Sequence, residues 1–167
     1  MAGILGCLES ESNINPSCKN YNEMDKYKNE NYGIGIAQWT NVPLNSATTG
    51  RHKDMVDWVT ANYGKWNDGN GQCAYLKKDL YNRKTDCSIN QLTSLIPEDL
   101  RHKDGQSFAT CTDPRWTVDM AVSWFLGCFE AGVGNKSSQS YYDKHWSAWM
   151  SSRQPNAHKW YEFLESL

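Results

Sequence analysis

Residues 113–130 constrain the fold more than any other stretch of the chain. Asp113 followed by Pro114 reads as a helix start. An Asp oxygen can accept from an orphan backbone N–H, and proline suits the first helical position. Val118, Ala121, Val122, Phe125 and Phe129 then fall at helical spacing and are expected to face inward. Ala131-Gly132 ends the run, glycine being a favoured terminator. A helix this rich in apolar and aromatic side chains must be covered on most of its surface. It is therefore expected to be the central helix of the domain. Its apolar run, 121–129, is far short of the roughly 18–20 residues that cross a bilayer.

The other periodic stretches are also helical. Ile4, Cys7, Leu8 and Glu11 make one stripe over residues 3–13, which Asn15-Pro16 ends, because a residue before proline disfavours helical backbone. Met55, Val56, Val59 and Tyr63 mark a helix over 51–63. Cys73, Leu76, Leu80 and Tyr81 mark another over 72–83. Ser88 can cap a short helix through Leu95, and two more helices are expected at 138–151 and 155–166. Polar stretches at 41–50 and 101–113 read as loops. Strand signals are confined to one small hairpin near residues 20–37. The expected fold is thus mostly α, an α+β arrangement with one β-hairpin, built as a single domain over residues 1–167.

Charge narrows the function. Seventeen Lys and Arg against 19 Asp and Glu leave a net charge of −2, without the basic excess that phosphate contacts need, so no nucleic-acid partner is expected. No membrane segment and no export signal are read from the sequence, and the chain reads as a domain cut from a larger protein. Six cysteines form no CxxC pair, and the four histidines are not spaced with them as zinc ligands. No metal and no cofactor are expected. Disulfides and buried free thiols both remain open for these cysteines.

Glu11 is the candidate for chemistry. It sits at the end of the first helix on the stripe of Ile4, Cys7 and Leu8. A carboxyl on an apolar stripe either leans into solvent or meets a basic partner. Alternatively, desolvation keeps its proton near neutral pH, ready for a leaving oxygen. Gly33-Ile34-Gly35-Ile36-Ala37-Gln38-Trp39 follows a polar stretch. Its glycines permit close backbone approach or an unusual φ. Tyr32 and Trp39 flank the segment, either as sugar-stacking rings or as core aromatics.

The string Glu11-Ser12-Asn13-Ile14-Asn15-Pro16, followed by the segment ending in Gln38-Trp39, resembles the lysozyme-like superfamily. Goose-type lysozymes and lytic transglycosylases carry a comparable helix-ending Glu-Ser, proline turn and Gly-Leu-Met-Gln segment. The opening from Ala2 to Trp39, with Phe129-Glu130-Ala131-Gly132 and Ala157-His158-Lys159-Trp160-Tyr161, is most similar to phage tail lysozymes. Residues 41–113 match only in helical tendency. Two departures stand out: Trp39 replaces an aliphatic residue of the transglycosylases, and Glu130 replaces their Asn.

The resemblance implies a peptidoglycan-degrading glycosidase, a muramidase or lytic transglycosylase, with the hairpin beside the active-site cleft. Its target would be the β-1,4 bond between N-acetylmuramic acid and N-acetylglucosamine. Position by position, it implies Glu11 as general acid, Ser12 as the neighbour that positions the sugar or the acid, and Gln38 at the substrate cleft; Tyr32 and Trp39 are the aromatics that could add sugar stacking beside them. It also implies a virion tail or extracellular setting at the bacterial cell wall, beside other domains of a tail or cell-wall protein. A second carboxylate, where one is used, could be Glu23, Asp25, Glu30 or Glu130. The rival reading is a non-catalytic wall-binding or tail-assembly module with the same fold.

Overall fold

The computed structural model describes residues 1–21, 32–40, 50–82, 89–100, 114–130 and 139–167. These residues are mostly helical. In chain order the helices are α1 (Ala2–Ser12), α2 (Arg51–Tyr63), α3 (Gly69–Asn82), α4 (Asn90–Leu95), α5 (Val118–Trp124) and α6 (Gln139–Glu165). A wider i→i+5 winding over Phe125–Glu130 continues α5. Among the described residues the β structure consists of two isolated antiparallel bridges, Lys19 to Ile34 and Ile34 to Trp39. Most of the expected hairpin, at 22–31, lies outside the described residues, as do Ser88, Asp113 and the loops at 41–49 and 101–113.

The chain forms two compact units, and their boundaries fall inside α1 and α3. The first comprises Met1–Ser10 and Leu80–Leu167. Its core is the expected apolar helix: Val122, Phe125 and Phe129 have no exposed surface, and the two Phe rings stack at 4.6 Å. The helix starts later than the Asp113-Pro114 pair indicates. Thr117 is the N-cap, its hydroxyl accepting from the Met120 N–H at 3.2 Å, and Pro114 lies in the preceding turn. A hydroxyl that already serves an orphan donor sets the first turn at Val118.

Small residues let α1 approach this core. A Cβ on Gly3 would stand 2.6 Å from the Ala121 Cβ, and one on Gly6 would stand 2.4 Å from the Ala157 backbone nitrogen. Cys7 and Leu8 of the expected stripe are buried, and Ile4 is half-buried. Trp160 Nε1 donates to Glu9 Oε2 at 2.8 Å. Where two helices were expected at the C-terminal end, α6 runs unbroken through Pro155. Proline removes one backbone donor there, yet side-chain donors gather on that turn. Ser10 Oγ donates to the Ser152 carbonyl at 2.8 Å, and Arg153 Nη1 to the Trp149 carbonyl at 3.2 Å.

The second unit, Glu11–Asp79, is built on α2 and α3. Met55 and Val59 of the expected α2 stripe are fully buried, Val56 is half-buried and Tyr63 is exposed. In α3 the inward stripe is Gln72, Tyr75, Leu76 and Leu80, whereas Cys73 is exposed. Partial desolvation still raises the Cys73 thiol above its ordinary pKa, so it stays protonated at neutral pH. Cys18 and Cys73 carry thiols not bridged as disulfides, Cys7 and Cys128 are buried, and Cys87 and Cys111 lie outside the described residues.

The α1–α6 approach depends on the absence of a side chain at position 6. Gly6→Ala should lower stability by about 1–3 kcal/mol, the usual cost of overpacking. Urea denaturation would measure this loss, and an unchanged midpoint would show that the backbones separate freely.

Candidate active site

The five residues singled out by sequence, Glu11, Ser12, Tyr32, Gln38 and Trp39, all belong to the second unit. Glu11 and Ser12 form the last two residues of α1. The backbone then reverses through Asn13 and Ile14, both at φ 54. For a β-branched residue such as Ile14 this is a strained conformation, of a kind that gathers at functional sites. Asn15 Oδ1 accepts the Ser17 N–H at 2.9 Å and tightens the proline turn. Glu11 itself is half-buried.

The chain returns as a narrow loop. Ile34 and Trp39 exchange both backbone hydrogen bonds, at 3.2 and 3.0 Å, and Gly35 donates to the Cys18 carbonyl at 2.9 Å. Gly33 and Gly35 have separate reasons to be glycine. A Cβ on Gly33 would lie 2.8 Å from Gln38 Oε1. Gly35 takes φ +71, and its Cβ would lie 2.5 Å from Gln72 Oε1.

This loop is tied to the end of α1 by one buried bond. Ser12 Oγ donates to the Ile36 carbonyl at 2.8 Å. Ser12 is 5% exposed, so its hydroxyl proton is committed to the loop backbone. Gln38, at φ 47, folds its amide back and donates from Nε2 to the Gly35 carbonyl at 3.0 Å, while remaining half-buried. Of the two aromatics, Trp39 takes the core alternative. It is 0% exposed, meets the Tyr75 ring edge-on at 5.7 Å, and donates from Nε1 to Asp79 Oδ2 at 3.3 Å. Tyr32 stays half-buried, its ring edge-on to His52 at 5.3 Å.

Sequence reading missed the residues that hold this loop. Asp79 Oδ2 also accepts from Arg51 Nη2 at 3.2 Å, joining α3 and the start of α2 to Trp39. His52, 7% exposed, brings Nδ1 to within 2.9 Å of the Tyr32 carbonyl. Gln72, fully buried, accepts the Ile36 N–H. All three act through partners 20 to 40 positions away, which no local pattern reveals.

The carboxylates considered as a second catalytic group separate into two cases. Glu23, Asp25 and Glu30 lie outside the described residues. Glu130 belongs to the first unit, where its Oε2 accepts from Arg153 Nε at 2.7 Å. Both side chains are under a tenth exposed, so this is a buried ion pair and each charge needs the other. Among the described residues no group of three or more His, Cys, Asp and Glu is placed to hold a metal ion.

A family model described as phage tail lysozyme matches residues 1–164. No curated protein and no solved structure matches the chain.

Asp79 supports Trp39 and Arg51 at once. Asp79→Ala leaves the indole N–H without this acceptor and should lower stability by about 1–3 kcal/mol. Guanidinium denaturation followed by tryptophan fluorescence would read the shift. A midpoint equal to that of the parent protein would remove Asp79 from the scaffold.

Proposed function

This chain belongs to the phage tail lysozyme family, and from that premise we propose that it cleaves the β-1,4 bond between N-acetylmuramic acid and N-acetylglucosamine with Glu11 as general acid. Membership makes it a lysozyme-type glycosidase directed at peptidoglycan. The match spans residues of both units, which supports reading 1–167 as one lysozyme domain. The observation that carries the assignment to Glu11 is the Ser12–Ile36 hydrogen bond at 2.8 Å. It holds the Gly33–Gln38 loop against the helix turn that ends in Glu11 and Ser12.

The chemistry then follows from residue type. The protonated Glu11 carboxyl gives its proton to the bridging oxygen as the bond from the sugar C1 breaks. The leaving sugar departs with that proton as a neutral hydroxyl, and C1 passes through an oxocarbenium-like state. Water completes a hydrolysis. Attack by the muramic acid's own 6-hydroxyl completes a transglycosylation and gives an anhydro sugar. For water attack, a base carboxylate would stand roughly 6.5–9.5 Å from Glu11. Glu23, Asp25 and Glu30 are the candidates that the Glu130–Arg153 pair leaves.

The remaining residues take supporting parts. Tyr32 offers its half-buried ring to a sugar face. Gln38 shapes the loop floor and presents its carboxamide oxygen near Gly33. Ser12 keeps the loop on the helix, and Trp39 supports it from the core. The setting we assign is the virion tail or the extracellular face of the target cell, with peptidoglycan as the partner and other domains of a tail protein alongside. No helix among the described residues is long and apolar enough to cross a membrane.

Glu11→Gln should reduce clearance of a cell-wall suspension by about 10²–10⁴-fold, the usual contribution of a general acid, with an unchanged unfolding midpoint. Clearance close to that of the parent protein would remove Glu11 from the role. Glycan binding by the parent protein without release of soluble fragments would favour the non-catalytic module. Mass spectrometry of the products would separate the chemistries: reducing ends report hydrolysis, and anhydro ends report transglycosylation.

A further inference from the structure

We propose that Gln72 is a positioning residue for the Glu11 reaction, acting through the Ile36 peptide. The inference rests on the lysozyme reading above. Gln72 is 0% exposed in the first turn of α3, a place where an apolar side chain would suffice for packing. Its amide is engaged on every side. Oε1 accepts the Ile36 N–H at 2.9 Å. Nε2 donates to the Pro16 carbonyl at 2.9 Å and to the Trp66 carbonyl at 2.9 Å. The partners set the orientation, since two carbonyls demand the NH₂ and one N–H demands the oxygen.

These bonds connect the two chain segments that define the candidate site. Pro16 closes the turn that leaves Glu11, and Ile36 is the loop residue whose carbonyl receives Ser12 Oγ. Gln72 therefore holds both ends of the path from Ser12 through the proline turn and back to the loop. The Gly35 backbone approaches so closely that a Cβ there would stand 2.5 Å from Gln72 Oε1. A side chain at position 35 would push the amide off Ile36. The loop glycine and the buried glutamine thus form one device.

Positioning predicts a particular kinetic pattern. Glu11 and the substrate-facing side chains keep their chemical identities when Gln72 changes, so binding should persist while turnover falls. The test uses the full chain, soluble peptidoglycan glycan oligomers and temperatures well below each variant's unfolding midpoint. Gln72→Met keeps the length of the side chain and removes its hydrogen bonds. It should lose about 10²-fold in kcat, the effect of a misplacement near 1 Å. Its KM should stay within about twofold of the parent value, since ground-state contacts are retained.

Gln72→Glu supplies a second reading and keeps the test open should Gln72→Met fail to fold. Its ionised carboxylate has an acceptor for Ile36 but meets two carbonyl oxygens on the other side. Once protonated, it donates to one of them and restores part of the network. The ratio of its kcat to the parent kcat should therefore rise as pH falls from about 8 to about 5. A folded Gln72→Met with parental kcat, or a kcat ratio for Gln72→Glu that stays flat over that range, would overturn the inference. Glu11→Gln runs beside both. If it retains turnover, the assignment of the acid to Glu11, on which the positioning role rests, fails; if it is inactive while the Gln72 variants turn over normally, only the positioning role fails.

Discussion

The Ile36 peptide is bonded on both sides inside the second unit. Its N–H goes to Gln72 and its carbonyl receives Ser12. A buried peptide left without partners would be costly, so a loop this far inside must find specific acceptors and donors. The chain supplies them from the last turn of α1 and the first turn of α3. Once these two bonds form, the remaining loop geometry follows. Ile34 and Trp39 close the base, Gly35 takes the left-handed turn, and Gln38 folds over it. The residue beside Ser12 is Glu11, so the same bond anchors the loop to the helix turn that carries the proposed acid.

The first unit solves a different problem by related means. Its core is aromatic and aliphatic, but its closest approaches are made by Gly3 and Gly6 of α1. Its one deeply buried ion pair, among the described residues, couples the end of the α5 winding to α6 through Glu130 and Arg153. Such a pair contributes less to net stability than its geometry implies, because both charges lose water. What it does is fix the Glu130 side chain, which is why we assign that carboxylate a structural part.

Much of the helix content was legible from residue periodicity. α1, α2 and the α5 run appear where Cys7–Leu8, Met55–Val59 and Val122–Phe125–Phe129 place them. Boundaries were less legible, because caps depend on which oxygen reaches the first-turn donors. Thr117 rather than Asp113 sets the start of α5. Two helices were expected at 138–151 and 155–166, yet α6 is continuous through Pro155, with donors on α6 and from Ser10 on nearby carbonyls. The α3 stripe was misread at Cys73, because the inward position next to it is the polar Gln72. Polar staples carry no periodic mark and are decided by partners far along the chain. The motif around Glu11, Ser12 and Gln38 was legible only as a resemblance to a family, and it is the family, over residues 1–164, that the match supports. The burial of Trp39 was one of two readings that sequence left open.

The account stands on Glu11 meeting the bridging oxygen of a glycan chain. A crystal structure of the Glu11→Gln protein with a bound, uncleaved peptidoglycan oligomer examines this directly. We expect one glycosidic oxygen within about 2.6–3.2 Å of the position-11 side chain, the reach that proton transfer needs. A glycan seated elsewhere, with every glycosidic oxygen further from that side chain than one bridging water could span, would contradict it.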